Sequence, residues 1–354
     1  MPGTHTIPDA FRRQALGCRQ LGSPFTARAC EALADGLTTE TAFGARILGW
    51  AGHPVNDALA LRAAGALNAL ARSGGCAALA AAYPPHEADD ESLRDAIAAA
   101  VEGHDDFLTR FLDSAPQTNE VARSNALLGG ALQIAAATDM PLALHEIGSS
   151  AGLNLAFDRY AYDLGTATWS APDAAVTIAA EWTGTLPPLD APLRVVSRAG
   201  CDINPLDPFR DRDRLLAYIW PDQTARLARI AAALTEAART GVAVEKADAA
   251  EWVERHFGPA GETGIVRVLM HTIVWQYLPA ATQARIEAAM AASGARATKD
   301  APVAWLRAEP DKIDKLSAAV TLTLWRGGDA ETQTLGRTDF HGRWTKWGYA
   351  SISA

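Results

Sequence analysis

The run Glu146-Ile147-Gly148-Ser149-Ser150-Ala151-Gly152-Leu153-Asn154 combines residue types at a spacing that could do chemistry. A carboxylate, a turn of glycines and small residues, and then an amide side chain let a backbone come close to a ligand. The glycines reach conformations that other residues avoid. A helix opening behind such a turn aims its N–H groups at the bound molecule. Glu146 is set to hold a cationic or hydroxyl group, with Gly148, Ser149, Ser150, Gly152 and Asn154 lining the turn.

Further along, Gly200-Cys201-Asp202-Ile203-Asn204-Pro205 places an acid, with Asn204 two residues on, where paired hydroxyls could be held. Each such charge-assisted hydrogen bond is worth roughly 1.5–3 kcal/mol. Asp248 ends a third apolar run and can accept from an amino group; the plainer alternative for either acid is a helix N-cap or a solvated loop residue. His271, near Trp275-Gln276-Tyr277, offers a general base close to neutral pH. With Tyr277 it forms the catalytic pair expected here, and an aromatic face beside it can stabilise positive charge. The alternative is that Trp275 and Tyr277 are core residues with tethered polar tips. Gln117, Asn119, Glu120 and Arg123 form a polar group suited either to closing over a ligand or to capping a helix, and Trp275, Gln276 and His341 are further candidates to meet a substrate.

These residues need elements to position them. Leu142–Ile147 reads as a short apolar strand ahead of the turn, with a helix expected over 153–162. Strands follow near 175–180, at Leu193–Val196 leading into Asp202, at Val242–Glu245, and over 264–274. Helices are expected at about 221–239 and 280–293, and strands at 302–308, 319–325 and near 342–348, the last two pairing as an antiparallel hairpin. Alternation of strands and helices predicts a doubly wound, mostly parallel α/β sheet of about seven strands. Before Pro141 the texture differs. Apolar residues recur at three- and four-residue spacing over 57–72 and 91–112, broken at Gly52-His53-Pro54, Ser73-Gly74-Gly75 and Pro84-Pro85, with one more helix over 119–138. The expected organisation is a helical cap, 1–116, covering the cleft at the strands' carboxyl ends, and an α/β domain, 117–354, with an insertion at about 165–192. That insertion, which contains Trp169, Trp182 and Pro187-Pro188, is expected to form a lid or to decorate the sheet.

Composition narrows the function classes. With 49% hydrophobic and 21% charged residues among 354, the chain reads as an ordinary globular protein. Net charge −9, without a Lys/Arg-rich run, argues against a nucleic-acid partner. Met1–Gln20 lacks the apolar core of a signal peptide, and no run is long enough for a membrane helix, so a soluble, cytoplasmic protein is expected. Cys18, Cys30, Cys76 and Cys201 form no C-x-x-C pair, which argues against zinc and against a disulfide framework. The remaining histidines are scattered, so no metal is expected, and the absence of G-x-G-x-x-G speaks against dinucleotide oxidoreduction.

The order of the Glu146-x-Gly148 turn, Asp202, Asp248 and a terminal hairpin resembles class I S-adenosylmethionine-dependent methyltransferases. Gln117-Thr118-Asn119-Glu120-Val121, the Glu146 turn, the Asp202 run, Trp220-Pro221-Asp222-Gln223, His271 with Trp275-Gln276-Tyr277, and His341-Gly342-x-Trp344 resemble a narrower bacterial group, domain of unknown function 2332, over nearly the whole chain. The resemblance implies a methyltransferase-like (Rossmann-like) sheet with S-adenosylmethionine as cofactor. Glu146 and the 148–152 turn would then hold the methionine and ribose portion, Asp202 the ribose hydroxyls and Asp248 the adenine, with a small, unidentified acceptor. Two departures stand out: Ser149-Ser150-Ala151 where the usual turn has a second glycine, and a Gly148-to-Asp202 interval much longer than the roughly 20 residues usual between glycine loop and ribose acid.

Two other classes use the same residues. One is a non-catalytic nucleotide- or metabolite-binding module of this fold. The other is a serine hydrolase, because Gly148-Ser149-Ser150-Ala151-Gly152 also matches G-x-S-x-G. Ser150 would then be nucleophile, Asp248 or Glu309 the acid and His341 the base. The helical texture upstream and the lack of an HGGG-type segment argue against it.

Overall fold

Polar caps set the helix starts of the amino-terminal part. Thr6 accepts from Asp9 N to open α1 (Ile7–Gln20), and Ser23 accepts from Thr26 N to open α2 (Pro24–Gly36). Thr41 and Asp89 do the same for α3 (Ala42–Leu48) and α6 (Asp90–Gly103), with α4 (Leu59–Arg72) and α5 (Ala77–Ala82) between them and α7 (Asp105–Phe111) following. A Ser, Thr or Asp in this position satisfies one of the orphan amides that every helix start exposes. Phe11, Leu33, Phe43, Ile47, Leu59 and Leu67 bury the apolar stripes of these helices in one core. The computed structural model describes residues 6–113, 115–117 and 119–348. It divides into two units, Met1–Thr118 with Asp211–Ala231, and Asn119–Arg210 with Ala232–Ala354.

In the second unit a 3-10 turn, Val121–Arg123, leads into α8 (Ser124–Thr138), which is apolar nearly all round and buried. The chain continues through β1 (Leu142–Ile147), β2 (Ala161–Asp163), β3 (Thr168–Ser170), β4 (Thr177–Ala179), β5 (Glu181–Gly184) and β6 (Val195–Asp202). Next comes α9 (Arg212–Ala217), which belongs to the first unit. Asn68 on α4 donates through Nδ2 to the carbonyls of Ala217 and Ile219, at 2.9 Å each, and the Tyr218 ring fills the space left by Gly65. Asp222 accepts from Phe25 N at 2.9 Å and from Ser23 Oγ, so the Trp220-Pro221-Asp222-Gln223 run anchors the start of α2. After α10 (Thr224–Thr240) come β7 (Val244–Lys246), α11 (Ala249–Phe257), β8 (Val266–Thr272) and α12 (Ala280–Ala295). Strands β9 (Val303–Pro310), β10 (Ala318–Trp325), β11 (Glu331–Thr338) and β12 (Trp344–Trp347) end the described fold.

The fold is mixed α/β around a large, mostly parallel sheet. It has nine strands in the order β5-β12-β11-β10-β9-β8-β1-β6-β7, not the seven expected. Strands β7, β6, β1, β8 and β9 form a parallel block, and β10, β11 and β12 continue it as an antiparallel meander. The expected pairing of 319–325 with 342–348 is not made, because β11 lies between β10 and β12. Its first half, Glu331-Thr332-Gln333-Thr334, is polar and exposed, so no apolar alternation announces it. In and just before the 165–192 stretch, β3-β2-β4 is a small sheet of its own, and β5 pairs parallel to β12 as the ninth strand of the large one.

The helix expected over 153–162 is instead a 3-10 turn, Leu153–Arg159, running into β2. Tyr160 Oη donates at 2.6 Å to Leu153 O, the carbonyl that an α-helix would pair with residue 157, and Asn119 Oδ1 accepts from Leu153 N at 3.0 Å. Behind the sheet, Ile147, Trp252, Phe257, Leu269, Met290 and Trp305 share one core with α11 and α12. Among the described residues no helix is long and apolar enough to cross a membrane.

Candidate functional site

β1 is the central strand of the parallel block, paired with β6 on one side and β8 on the other. Successive side chains of a strand point to opposite faces. Ile147 enters the core of α11 and α12, while Glu146 faces the other way with only 2% of its surface exposed. Its Oε2 has no hydrogen-bond partner within the protein. Burial pushes this carboxyl up to about 8; the Arg123 guanidinium pulls it back and the Asp202 carboxylate adds to the rise.

The turn behind Glu146 carries three left-handed residues: Gly148 at φ +67°, Ser150 at +53° and Gly152 at +73°. Gly148 is required, since a Cβ there would stand 2.5 Å from Val274 Cγ2. Ser149, one of the bulky replacements, is turned inward. Its Oγ donates to Glu146 O at 2.7 Å, its N donates to Cys201 O at 3.1 Å, and Gly200 vacates the room its side chain needs. Ser150 is a non-glycine in a strained region. Its N donates to Asp202 Oδ2 at 2.9 Å and its carbonyl accepts from Leu206 N at 3.1 Å, which together hold it there. Ser150 Oγ is buried without a partner, as is Oδ1 of Asn154, a residue only 1% exposed.

Asp202, at the end of β6, spends one oxygen on Ser150 N and the other on Asn204 N, at 2.8 Å. Each carboxylate oxygen has a second lone pair to offer. Asn204 itself is exposed. Asp248, just past β7, caps α11 through Oδ1 alone, accepting from Ala250 N at 2.9 Å and Glu251 N at 3.1 Å. Asn119 and Glu120 are buried; Glu120 Oε1 accepts from Ala122 N at 3.1 Å, so it caps the 3-10 turn. Arg123 donates from Nη1 to Thr272 O at 3.0 Å, at the carboxyl end of β8. Glu146, the turn, Asp202, Asn119 and Arg123 thus converge at the ends of β1, β6 and β8. Gln117 belongs to the other unit, and Thr118 lies outside the described residues.

His271 is fully buried and fully engaged. Its Nδ1 lies 2.7 Å from Glu309 Oε1, and its Nε2 accepts from the Trp305 indole N–H at 3.0 Å, which places the imidazole proton on Nδ1. The ring stacks on Trp275 at 5.3 Å, and Glu309 also accepts from Val274 N at 3.1 Å and Trp275 N at 3.3 Å. No lone pair of His271 faces a substrate; the pair fixes the loop that presses Val274 onto Gly148. Sequence reading missed Trp305 as the partner of His271. The available signal was that Trp305 and Glu309 lie four apart on one strand, hence on one face. Tyr277 and Gln276 are exposed on the loop behind β8, and Trp275 is half-buried. His341 stands in the β11–β12 turn, its N donating to Asp339 Oδ1 at 3.2 Å.

The hydrolase arrangement is not assembled. Ser150 Oγ has no partner, Glu309 is bonded to His271, and Asp248 caps a helix. Among the described residues no three His, Cys, Asp or Glu side chains are grouped to hold a metal ion.

No curated protein and no solved structure matches the chain. A family model matches residues 8–347, a span that takes in both units and every candidate residue above. The chain belongs to the family described as "Uncharacterized protein conserved in bacteria (DUF2332)".

Proposed function

We propose that the carboxyl end of the parallel block binds S-adenosylmethionine and that the protein transfers its methyl group to a small acceptor. One observation carries the reading. Glu146 is a buried carboxyl in the middle of a sheet, at the mouth of a left-handed turn, and its Oε2 has no hydrogen-bond partner. A buried polar group without a partner is costly, and such sites persist where a ligand completes them. Strand order supports the location, because ligands of open α/β sheets bind where the order reverses, between β1 and β8.

The residues fit an adenosyl ligand. Glu146 meets the cationic amino group, Ser150 Oγ and Asn154 Oδ1 offer further polar contacts, and the spare lone pairs of Asp202 take the ribose hydroxyls. Asp248, on the adjacent strand end, has Oδ2 for the adenine amino group. When bound, S-adenosylmethionine would supply a methyl group on its sulfonium sulfur for an acceptor lone pair, with the thioether as leaving group. The chain's part is alignment of the reacting groups. His271 is committed to Trp305 and Glu309 and takes no proton in this arrangement. Tyr277 is the exposed candidate to meet the acceptor. That sealing of His271 favours, as second reading, a module that binds the same ligand without transfer.

Calorimetry with S-adenosylmethionine and S-adenosylhomocysteine tests the proposal. Micromolar binding is expected, weakened by about ten- to a hundredfold in Asp202→Ala. No binding at millimolar ligand overturns it. Binding without methyl transfer to any of a panel of small acceptors selects the second reading.

A further inference from the structure

A cavity of about 550 Å³ opens within the helical unit, walled by the carboxyl half of α2, the 37–41 linker and α6. That volume lies in the range of small-molecule sites, roughly 300–1,000 Å³. Leu33 and Ile97 are core residues that form its apolar floor, and Leu37 and Val101 pack beside them. Four acids line it, Asp35, Glu40, Asp95 and Glu102, against a single base, Arg94. Asp35 Oδ1 accepts from Arg12 Nη2 at 2.6 Å. Among the described residues, the side chains of Glu40, Asp95 and Glu102 have no hydrogen-bond or ion-pair partner.

The backbone adds negative charge in the same place. A helix carboxyl end carries about half a negative elementary charge, which a nearby cation offsets. α1, α3, α4 and α7 each place an arginine in the last turn, Arg19, Arg46, Arg72 and Arg110. Besides the short α5, only α2 and α6 of these seven helices lack one. Both end at the cavity, α2 through Gly36 and α6 through Val101 and Glu102. The acids are too dispersed to chelate: among the described residues no three His, Cys, Asp or Glu side chains are grouped to hold a metal ion. An apolar floor also suits poorly a hard cation that keeps a full shell of oxygen ligands. A protonated amine has the opposite needs. It donates to a few carboxylates or carbonyls and brings hydrocarbon to cover the floor.

We propose that this cavity binds a small aliphatic amine in its protonated form. The hydrocarbon body lies on Leu33, Leu37, Ile97 and Val101, and the ammonium group sits among Glu40, Asp95, Glu102 and the ends of α2 and α6. The site lies within the helical unit, and nothing in it depends on the methyltransferase reading.

The test is calorimetric titration of the full chain at pH 7 with butylamine, hexylamine and octylamine, and with octanol, octanoate and calcium chloride as comparisons. Saturable amine binding is expected, tighter by about two- to fourfold per added methylene and weakened by salt. Octanol should bind about tenfold more weakly than octylamine, and octanoate more weakly still. Asp95→Asn with Glu102→Gln narrows the gap between octylamine and octanol. Ala98 and Ala99 are neighbours on the exposed side of α6, and only Ala98 lines the cavity. Ala98→Lys therefore places a cation in the cavity and weakens octylamine by about tenfold or more, while Ala99→Lys adds the same charge and leaves binding unchanged. Lysine is a good helix former, and an unchanged thermal midpoint shows that each variant is folded. The proposal is overturned by no saturable amine binding, or by octanol binding as tightly as octylamine. It is overturned equally by calcium binding in place of the amine, or by Ala98→Lys and Ala99→Lys behaving alike.

Discussion

Replacing Glu146 with Gln removes one ionisation from the centre of the sheet and leaves the side-chain shape nearly unchanged. The carboxyl titrates near 4.5 when solvated and at about 8 when folded, burial being the main cause. A folded-state value raised above the unfolded one means that the native protein prefers the protonated group. Wild-type stability is thus fullest below pH 4.5, erodes as the unfolded chain ionises, and levels off above pH 8. Between pH 5 and pH 8 the loss amounts to about 3 to 4 kcal/mol. Glu146→Gln lacks this loss. Its stability relative to wild type should rise by that amount over the same interval, and any pH-independent effect of the amide cancels in the comparison. Urea unfolding followed by circular dichroism at pH 5, 6, 7 and 8 measures it. A difference between variant and wild type that stays constant within about 1 kcal/mol would refute the carboxyl raised by burial. The same variant should bind S-adenosylmethionine more weakly, so stability and function move in opposite directions, as expected where a site is held at some cost to the fold.

Three further outcomes follow from the same contacts. His145, on β1 beside His256 with ring centroids 5.3 Å apart, is lowered to about 4, chiefly by burial; its support is complete above its ordinary 6.5 and is lost as pH falls through 4. His145→Gln should therefore escape about 3 kcal/mol of the acid destabilisation seen between pH 7 and pH 4, and identical acid limbs in the two proteins would count against it. Trp305→Phe strips His271 Nε2 of its donor, and unfolding should show a loss of about 1–3 kcal/mol; an unchanged midpoint would mean the indole bond is dispensable. Gly148→Ala forces a Cβ against Val274 at positive φ, so a loss of about 1–3 kcal/mol, with weaker S-adenosylhomocysteine binding, is expected by urea titration and calorimetry.

Much of this architecture is written locally. Leu142–Ile147 and Val266–Thr272 are apolar and β-branched enough to read as buried strands, and the glycines at 148 and 152 announce the left-handed turn between them. What escaped reading depends on distant partners. Ser150 adopts its positive φ because Asp202, 52 residues on, receives its amide. The stretch after Leu153 resembles a helix until Tyr160 claims the carbonyl of Leu153. β5 has four residues and gains its place only by pairing with β12. The role of His271 turned on Trp305 and Glu309, 34 and 38 residues away, which no local spacing connects to it. Residues 211–231 join the helical unit through bonds such as Asn68 to Ala217, which local pattern does not encode.

The most direct test is a co-crystal structure with S-adenosylhomocysteine. Density is expected along the 148–152 turn, with the ligand amino group within hydrogen-bonding distance of Glu146, the ribose hydroxyls on Asp202 and the adenine toward Asp248. Millimolar ligand leaving that edge of the sheet without density, or ligand bound elsewhere on the chain, would contradict it.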